Sequence, residues 1–267
     1  MKLCLPNRYD ENINYPKENA KYFTGRKKRV IRKLLSKASD EYCMYCGKSL
    51  SYDGSLNMQL EHSVDKDGNE GEAEKERVLT ECKFNLAAAC EKCNMVYKKR
   101  VEKMNLRKFN LPLKCPIVCE KPCKEYEATR ENYCKINSII LQPEGFSSEG
   151  IEYAIRYNIL RDLYEPDIDT ADDVHKFFVE RHIRRFHLNR DRLSRNVINI
   201  CVDIVDMKEY DLGVDKAIKL LCHFKKKRQP NIVGKLFLEF LESKFQNKSV
   251  EELIEFCRMI VLASAII

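Results

Sequence analysis

The 267-residue chain carries 48 Lys and Arg against 41 Asp and Glu, a formal net charge of +7, with 44% hydrophobic and 33% charged residues. That balance excludes a disordered or fibrous chain and predicts a globular protein with apolar material for one large or two small domains. Its longest apolar run, MIVLASAII at 259–267, is well short of the ~20 residues that span a bilayer, which excludes a membrane-spanning helix and predicts the end of a core helix.

Thirteen cysteines is a high count. The number is odd, and the opening MKLCLPNRYDENINYPKENAKYF has no apolar leader core, so the thiols are expected to be reduced, cytoplasmic and partly metal-bound. Residues 1–20, with Pro6, Pro16 and several Asn, predict an extended arm. Between Lys21 and Lys37 there are eight basic residues and no acid. From Gly25 onward Val30, Ile31, Leu34 and Leu35 fall at helical spacing among Arg26, Lys27, Lys28, Arg29, Arg32, Lys33 and Lys37, which predicts a helix docked by one face with the other turned to solvent or to phosphates.

Next come two CxxC pairs, Cys43/Cys46 and Cys90/Cys93. CxxC puts two thiolates on one tight turn, and two such pairs complete a closed tetrahedral Cys4 zinc site. Leu56–His62 has strand character, which would set Glu61 and His62 facing opposite ways. Asp65–Glu76 is acidic and apolar-poor, a surface loop. From Leu86 the AAAC stretch and MVYKKRVEKM predict a helix bearing Cys90, Cys93 and Asn94 on its first turns and Lys98, Lys99 and Arg100 beyond. A purely structural zinc ribbon has no need of a His beside an acid, or of an Asn straight after its last Cys.

In order, YCMYC, LEH, FNL and CEKCN resemble the Cys4-zinc form of the HNH nucleases, a branch of the ββα-metal superfamily, over Tyr42–Arg100. The resemblance implies that His62 is the general base that activates water, that Glu61 and Asn94 hold a divalent cation, Mg²⁺ or Mn²⁺, and that Asn85 fixes the His62 loop. The chemistry is consistent: a neutral His titrates near working pH, while a carboxylate and an amide oxygen suit a hard cation that retains waters for phosphate. Two departures stand out: Glu61 where Asp is more usual, and Tyr97 where the family has Lys three places after the last catalytic residue. The alternative is a non-catalytic zinc-stabilised nucleic-acid-binding or adaptor module.

Then follows KCPIVCEKPCKEYEATRENYC, where Pro116 and Pro122 interrupt regular helix. Cys115, Cys119, Cys123 and Cys134 there are either a second metal site, zinc or less readily an iron-sulfur cluster, or unligated thiols. Ile136–Leu141 predicts a short strand. From 147 on, Ile151–Tyr164, Ala171–Phe186, Arg190–Met207, Val214–Lys227, Ile232–Phe245 and Val250–Ala265 predict helices, with capping patterns at Thr170/Asp173 and Ser249/Glu252. His175, His182, His187 and His223 lack an acid-His arrangement and are expected at surfaces or interfaces. Arg181, Arg184, Arg185, Arg190, Arg192 and Arg195 mark the same region as basic, as Lys225–Arg228 do farther on.

An HNH core followed by a helical region with an LNRDRLSRN segment resembles the HNH subunit of Septu-type antiphage systems, some of them retron-associated. That resemblance implies an ATPase partner and a role as a defence effector. The expectation is thus an α+β chain: 1–40 an arm and basic helix, 41–146 a ββα-metal nuclease domain with a Cys-rich extension, and 147–267 an all-α partner-binding domain. The expected substrate is DNA or RNA.

Overall fold

The computed structural model describes residues 2–5, 9, 13–18, 22, 25–52, 54–65, 73–98, 105–116, 118–148, 150–167, 172–190, 196–207, 217–226 and 230–266. It is a mixed α/β structure with small antiparallel sheets, in two compact units: 6–46 with 50–153, and 1–5 with 47–49 and 154–267. The described part begins with β1 (Lys2–Cys4), which belongs to the second unit.

The first unit opens with α1 (Gly25–Ala38), which buries Ile31 and Leu35 and exposes Arg26, Lys27, Lys28, Arg29, Lys33 and Lys37. Val30, expected on the docked face, is 53% exposed. A short hairpin of β2 (Ser51–Tyr52) and β3 (Ser55–Leu56) follows, then β4 (Gln59–His62) paired antiparallel with β5 (Leu86–Ala89). Between β4 and β5 the chain forms α2 (Ala73–Glu81) and a 3₁₀ turn at Lys83–Asn85.

The helix expected from Leu86 is therefore corrected: its first four residues are a strand, and helix starts only at Glu91. Alanine favours helix intrinsically, but here Ala87, Ala88 and Ala89 are fully buried and their backbone completes the ladder of β4. A π-helical turn, Cys93–Tyr97, follows. The unit also contains α3 (Lys124–Asn137) and a two-residue hairpin pair, β6 (Ser147–Ser148) and β7 (Ile151–Glu152). The strand expected at Ile136–Leu141 is absent. Helix α3 runs to Asn137, Ser138 ends it in the left-handed region at φ 50, and Ile139–Leu141 continue as buried irregular chain. The central part of the acidic insert, 66–72, and the basic residues Lys99 and Arg100 lie outside the described residues.

The second unit carries a three-stranded antiparallel sheet of order β1, β8 (Ile155–Asn158), β9 (Leu163–Pro166). Leu3 faces Tyr157, and Arg156 faces Glu165, whose Oε1 accepts from Arg156 Nε at 2.8 Å. The helix expected at Ile151–Tyr164 is thus corrected to strands, and the region after 147 is not all-α. The arm expected at 1–20 likewise begins as a strand.

Among the described residues five helices follow: α4 (Asp173–Arg185), α5 (Asn196–Asp206), α6 (Ala217–Lys226), α7 (Ile232–Phe245) and α8 (Val250–Ile266). The Ser249/Glu252 capping box forms, with Glu252 N donating to Ser249 Oγ at 3.3 Å and Ser249 N to Glu252 Oε2 at 3.0 Å. Thr170 lies outside the described residues, and Asp172 caps α4 by accepting from His175 N. Arg192, Arg195, Lys227 and Arg228 also lie outside them. His182, expected at a surface, is fully buried and packs on Phe186 with ring centroids 4.7 Å apart. Among the described residues of the apolar run 259–267, Ile260 alone is buried, while Met259, Leu262 and Ile266 are exposed, so it is not a core helix end. Among the described residues no helix is long and apolar enough to cross a membrane.

Candidate metal centre and active site

Cys43 and Cys46 sit on the turn after α1, Cys90 directly follows β5, and Cys93 opens the π-helical turn. The first turn docks on β5 through Met44 N, which donates to Ala88 O at 2.8 Å. That brings the four sulfurs within 4.8 Å of one another, with Cys46 Sγ and Cys90 Sγ 3.8 Å apart and Cys90 N donating to Cys43 Sγ at 3.3 Å. A zinc tetrahedron with bonds of ~2.3 Å has S···S edges of roughly 3.8 Å, so the donor set and its spacing fit zinc. Without metal the charge is shared unevenly. Hydrogen bonds from the Cys43, Cys46 and Cys93 thiols hold Cys90 far below the usual thiol range, while bonding to Cys43 and Cys90 raises Cys46 and burial raises Cys93.

The β4–β5 pair and the π-helical turn then bring the other named residues together. Along β4, Leu60 and His62 are buried while Gln59 and Glu61 are half-buried, as strand alternation requires. The Gln59/Glu61 face meets the π-helical turn in two rungs. Asn94 Nδ2 donates to Gln59 Oε1 at 2.6 Å, and Lys98 Nζ donates to Glu61 Oε1 at 2.7 Å. Two strand residues rise about 6.7 Å and four helical residues about 6 Å, so the rungs match.

Lys98 is 3% exposed and also donates to His62 O and, at 3.4 Å, to Ser63 O. Its ammonium lies 5.5 Å from the Tyr45 ring centroid and 5.8 Å from that of Tyr133. Sequence reasoning gave Lys98 no site role. The π-helical turn supplies it: a wider turn absorbs one extra residue, which brings the lysine four places after Asn94 onto the face that three places reach in an ordinary helix. Burial drives the Tyr45 and Tyr133 hydroxyls well above their ordinary range, so both stay neutral around the ammonium.

His62 is on the opposite face of β4, where Nε2 lies 3.4 Å from Thr80 O of α2. A carbonyl only accepts, so in this contact Nε2 is the donor. Two residues on, Asn85 holds the backbone of Val64 from both sides. Its Oδ1 accepts from Val64 N at 2.7 Å and its Nδ2 donates to Val64 O at 3.0 Å. The same amide donates to Leu79 O at 2.9 Å and accepts from Tyr126 Oη at 3.2 Å, so all four of its hydrogen-bonding positions are used.

The Cys-rich extension is distributed differently from the sequence expectation. Cys115, Cys119 and Cys123 lie on loop, but Cys134 is buried in α3, with Sγ donating to Gln142 Oε1 at 3.5 Å. Burial raises its thiol to about 11. Among the described residues the Cys43/Cys46/Cys90/Cys93 group alone has three or more ligand atoms within 4.8 Å of one another. Comparison with family models, with curated proteins and with solved structures finds no match.

Proposed function

We propose that the chain is an HNH-type endonuclease that hydrolyses phosphodiester bonds of DNA or RNA. The observation that supports this reading best is the placement of His62 at the end of β4, with Nε2 3.4 Å from Thr80 O and with Asn85 holding the loop that follows it. In this reading His62 takes the proton of a water as that water attacks phosphorus. The Cys4 cluster, read as a structural zinc site, ties the β4–β5 pair to the π-helical turn, so that the base and the Glu61/Asn94 ladder keep their register.

Glu61 and Asn94 offer a carboxylate and an amide oxygen on adjoining rungs, a donor set that fits Mg²⁺ or Mn²⁺. When bound, such an ion supplies positive charge to the phosphate and leaving oxygens. Lys98 already compensates Glu61, so an ion there shares that carboxylate with the ammonium. The same ion pair favours a second reading, a non-catalytic zinc module in which Lys98 closes the site permanently. An ATPase partner and a role in antiphage defence follow from the Septu resemblance alone. The exposed Met259, Leu262 and Ile266 of α8 offer one apolar surface to a protein.

Cleavage of plasmid, single-stranded DNA and RNA with Mg²⁺ or Mn²⁺ tests both readings. His62→Ala should lower turnover by ~10²- to 10⁴-fold with zinc content and nucleic-acid affinity retained. Asn94→Ala should lower it too, but with partial recovery at higher Mn²⁺, because mass action refills a weakened ion site and cannot replace a base. His62→Ala cutting at the wild-type rate, on a substrate the wild type cuts, overturns His62 as the base, and a wild type that cuts none of these substrates with either ion favours the non-catalytic reading.

A further inference from the structure

A second group of sulfurs gathers around Lys83. The Lys83 ammonium donates to Pro16 O at 2.6 Å, to Lys17 O at 2.9 Å and to Cys119 O, and Cys119 N donates to Lys17 O at 2.9 Å. These bonds fix the Cys119 segment against the residue that follows Cys82. From the other side Tyr126 of α3 donates to Phe84 O at 3.1 Å, which holds the start of that helix, capped by Cys123, against the same 3₁₀ turn. Cys115 completes the group from the loop. Cys82 and Cys115 each lie within electrostatic reach of Cys123, and Cys115 within reach of Cys82 and Cys119. Cys119 in turn lies within reach of Cys123. Cys134 interacts instead with Arg130, Lys98 and acidic side chains.

We propose that Cys82, Cys115, Cys119 and Cys123 form a second zinc site, in which Cys82 takes the place that the sequence spacing gives to Cys134. The two closed pairs of the first site are set by CxxC turns, whereas here three ligands come from one proline-interrupted loop and its junction with α3, and the fourth from the turn before β5. Their sulfurs are farther apart than those of the first site, so binding draws the 115–123 loop inward onto Cys82. Four neutral thiols bind one Zn²⁺ with release of four protons and leave a centre of charge −2, beside which the Lys83 ammonium is a ready counter-charge. Cys82 immediately precedes Lys83–Asn85, so the ion also anchors the turn that presents Asn85 to the His62 loop.

The test is metal stoichiometry of the reduced full-length protein. Zinc at saturation should reach two equivalents, and cobalt should give two tetrahedral thiolate centres by their visible d–d bands. Cys82→Ser and Cys115→Ser should each lose one equivalent and keep the other, whereas Cys134→Ser should keep both. Cys115 is on a half-buried loop, so its variant carries the test if Cys82→Ser does not fold. A wild-type protein that saturates at one equivalent overturns the proposal, as does a Cys115→Ser protein that keeps two, or loss of the second equivalent from folded Cys134→Ser.

Discussion

Asn85 uses its whole amide on backbone groups of Val64 and Leu79 and on the Tyr126 hydroxyl, with no surface exposed. Buried hydrogen-bonding groups left without partners cost roughly 1–3 kcal/mol each. Asn85→Ala should therefore destabilise the first unit by about 3 kcal/mol, and Asn85→Asp by more, because it turns an acceptor toward two carbonyls. Denaturant unfolding with zinc held saturating checks this, and a shift below about 0.5 kcal/mol contradicts the clamp. At this scale the Cys4 set could be named from CxxC spacing alone, whereas roles for the Glu61-His62 pair and Asn85 came only as what the resemblance to the HNH nucleases implies. Lys98 could not be named, because its position depends on a widened helical turn whose hydrogen bonds have no sequence signature. Cys82 was missed for a related reason: no CxxC neighbour marks it, and the chain that brings it to Cys123 is long.

The elements show a more specific pattern of success and error. Ile151, Tyr153, Ile155, Tyr157 and Ile159 alternate, and the four from Tyr153 on are buried, so a period of two was present at β8. Leu160 and Tyr164 gave the same stretch helical spacing as well, and pairing with β1 and β9 decided between them. The four-residue run at β5 is too short for either period to register. Helices α7 and α8, both long and the second marked by the Ser249/Glu252 box, were legible almost to their ends. The small size of the β4–β5 pair gives the proposed zinc its largest effect at this scale. Two strands of four residues are not independently stable, and a closed zinc site contributes folding energy directly. Cys90→Ser should lose the first zinc, unfold the first unit and lower its melting temperature well beyond the effect of a surface substitution. A soluble, zinc-loaded Cys90→Ser protein with unchanged melting shows that the strands hold without the ion.

Over the whole molecule the charge is unevenly placed. The seven Lys and Arg of α1 carry all of the formal net charge of +7, since the remaining 41 basic residues balance the 41 Asp and Glu. Ile31 and Leu35 anchor that helix, and Arg26, Lys28, Arg29 and Lys33 are exposed on it, so a polyanion would meet it as a concentrated patch on an otherwise balanced chain. If nucleic acid is the partner, each phosphate neutralised there releases counterions and adds about 0.9 to the slope of log affinity against log salt. Replacing Arg26, Lys28, Arg29 and Lys33 together by alanine should weaken binding to a labelled duplex at low salt and flatten that slope by about 3 to 4, with melting temperature nearly unchanged because alanine suits an exposed helix. The control removes the same charge elsewhere, at Lys235, Lys244, Lys248 and Arg258. If the two quadruple variants bind alike, net charge alone steers the encounter and α1 is a solvated face; if only the α1 variant loses affinity, the helix is where the polyanion sits.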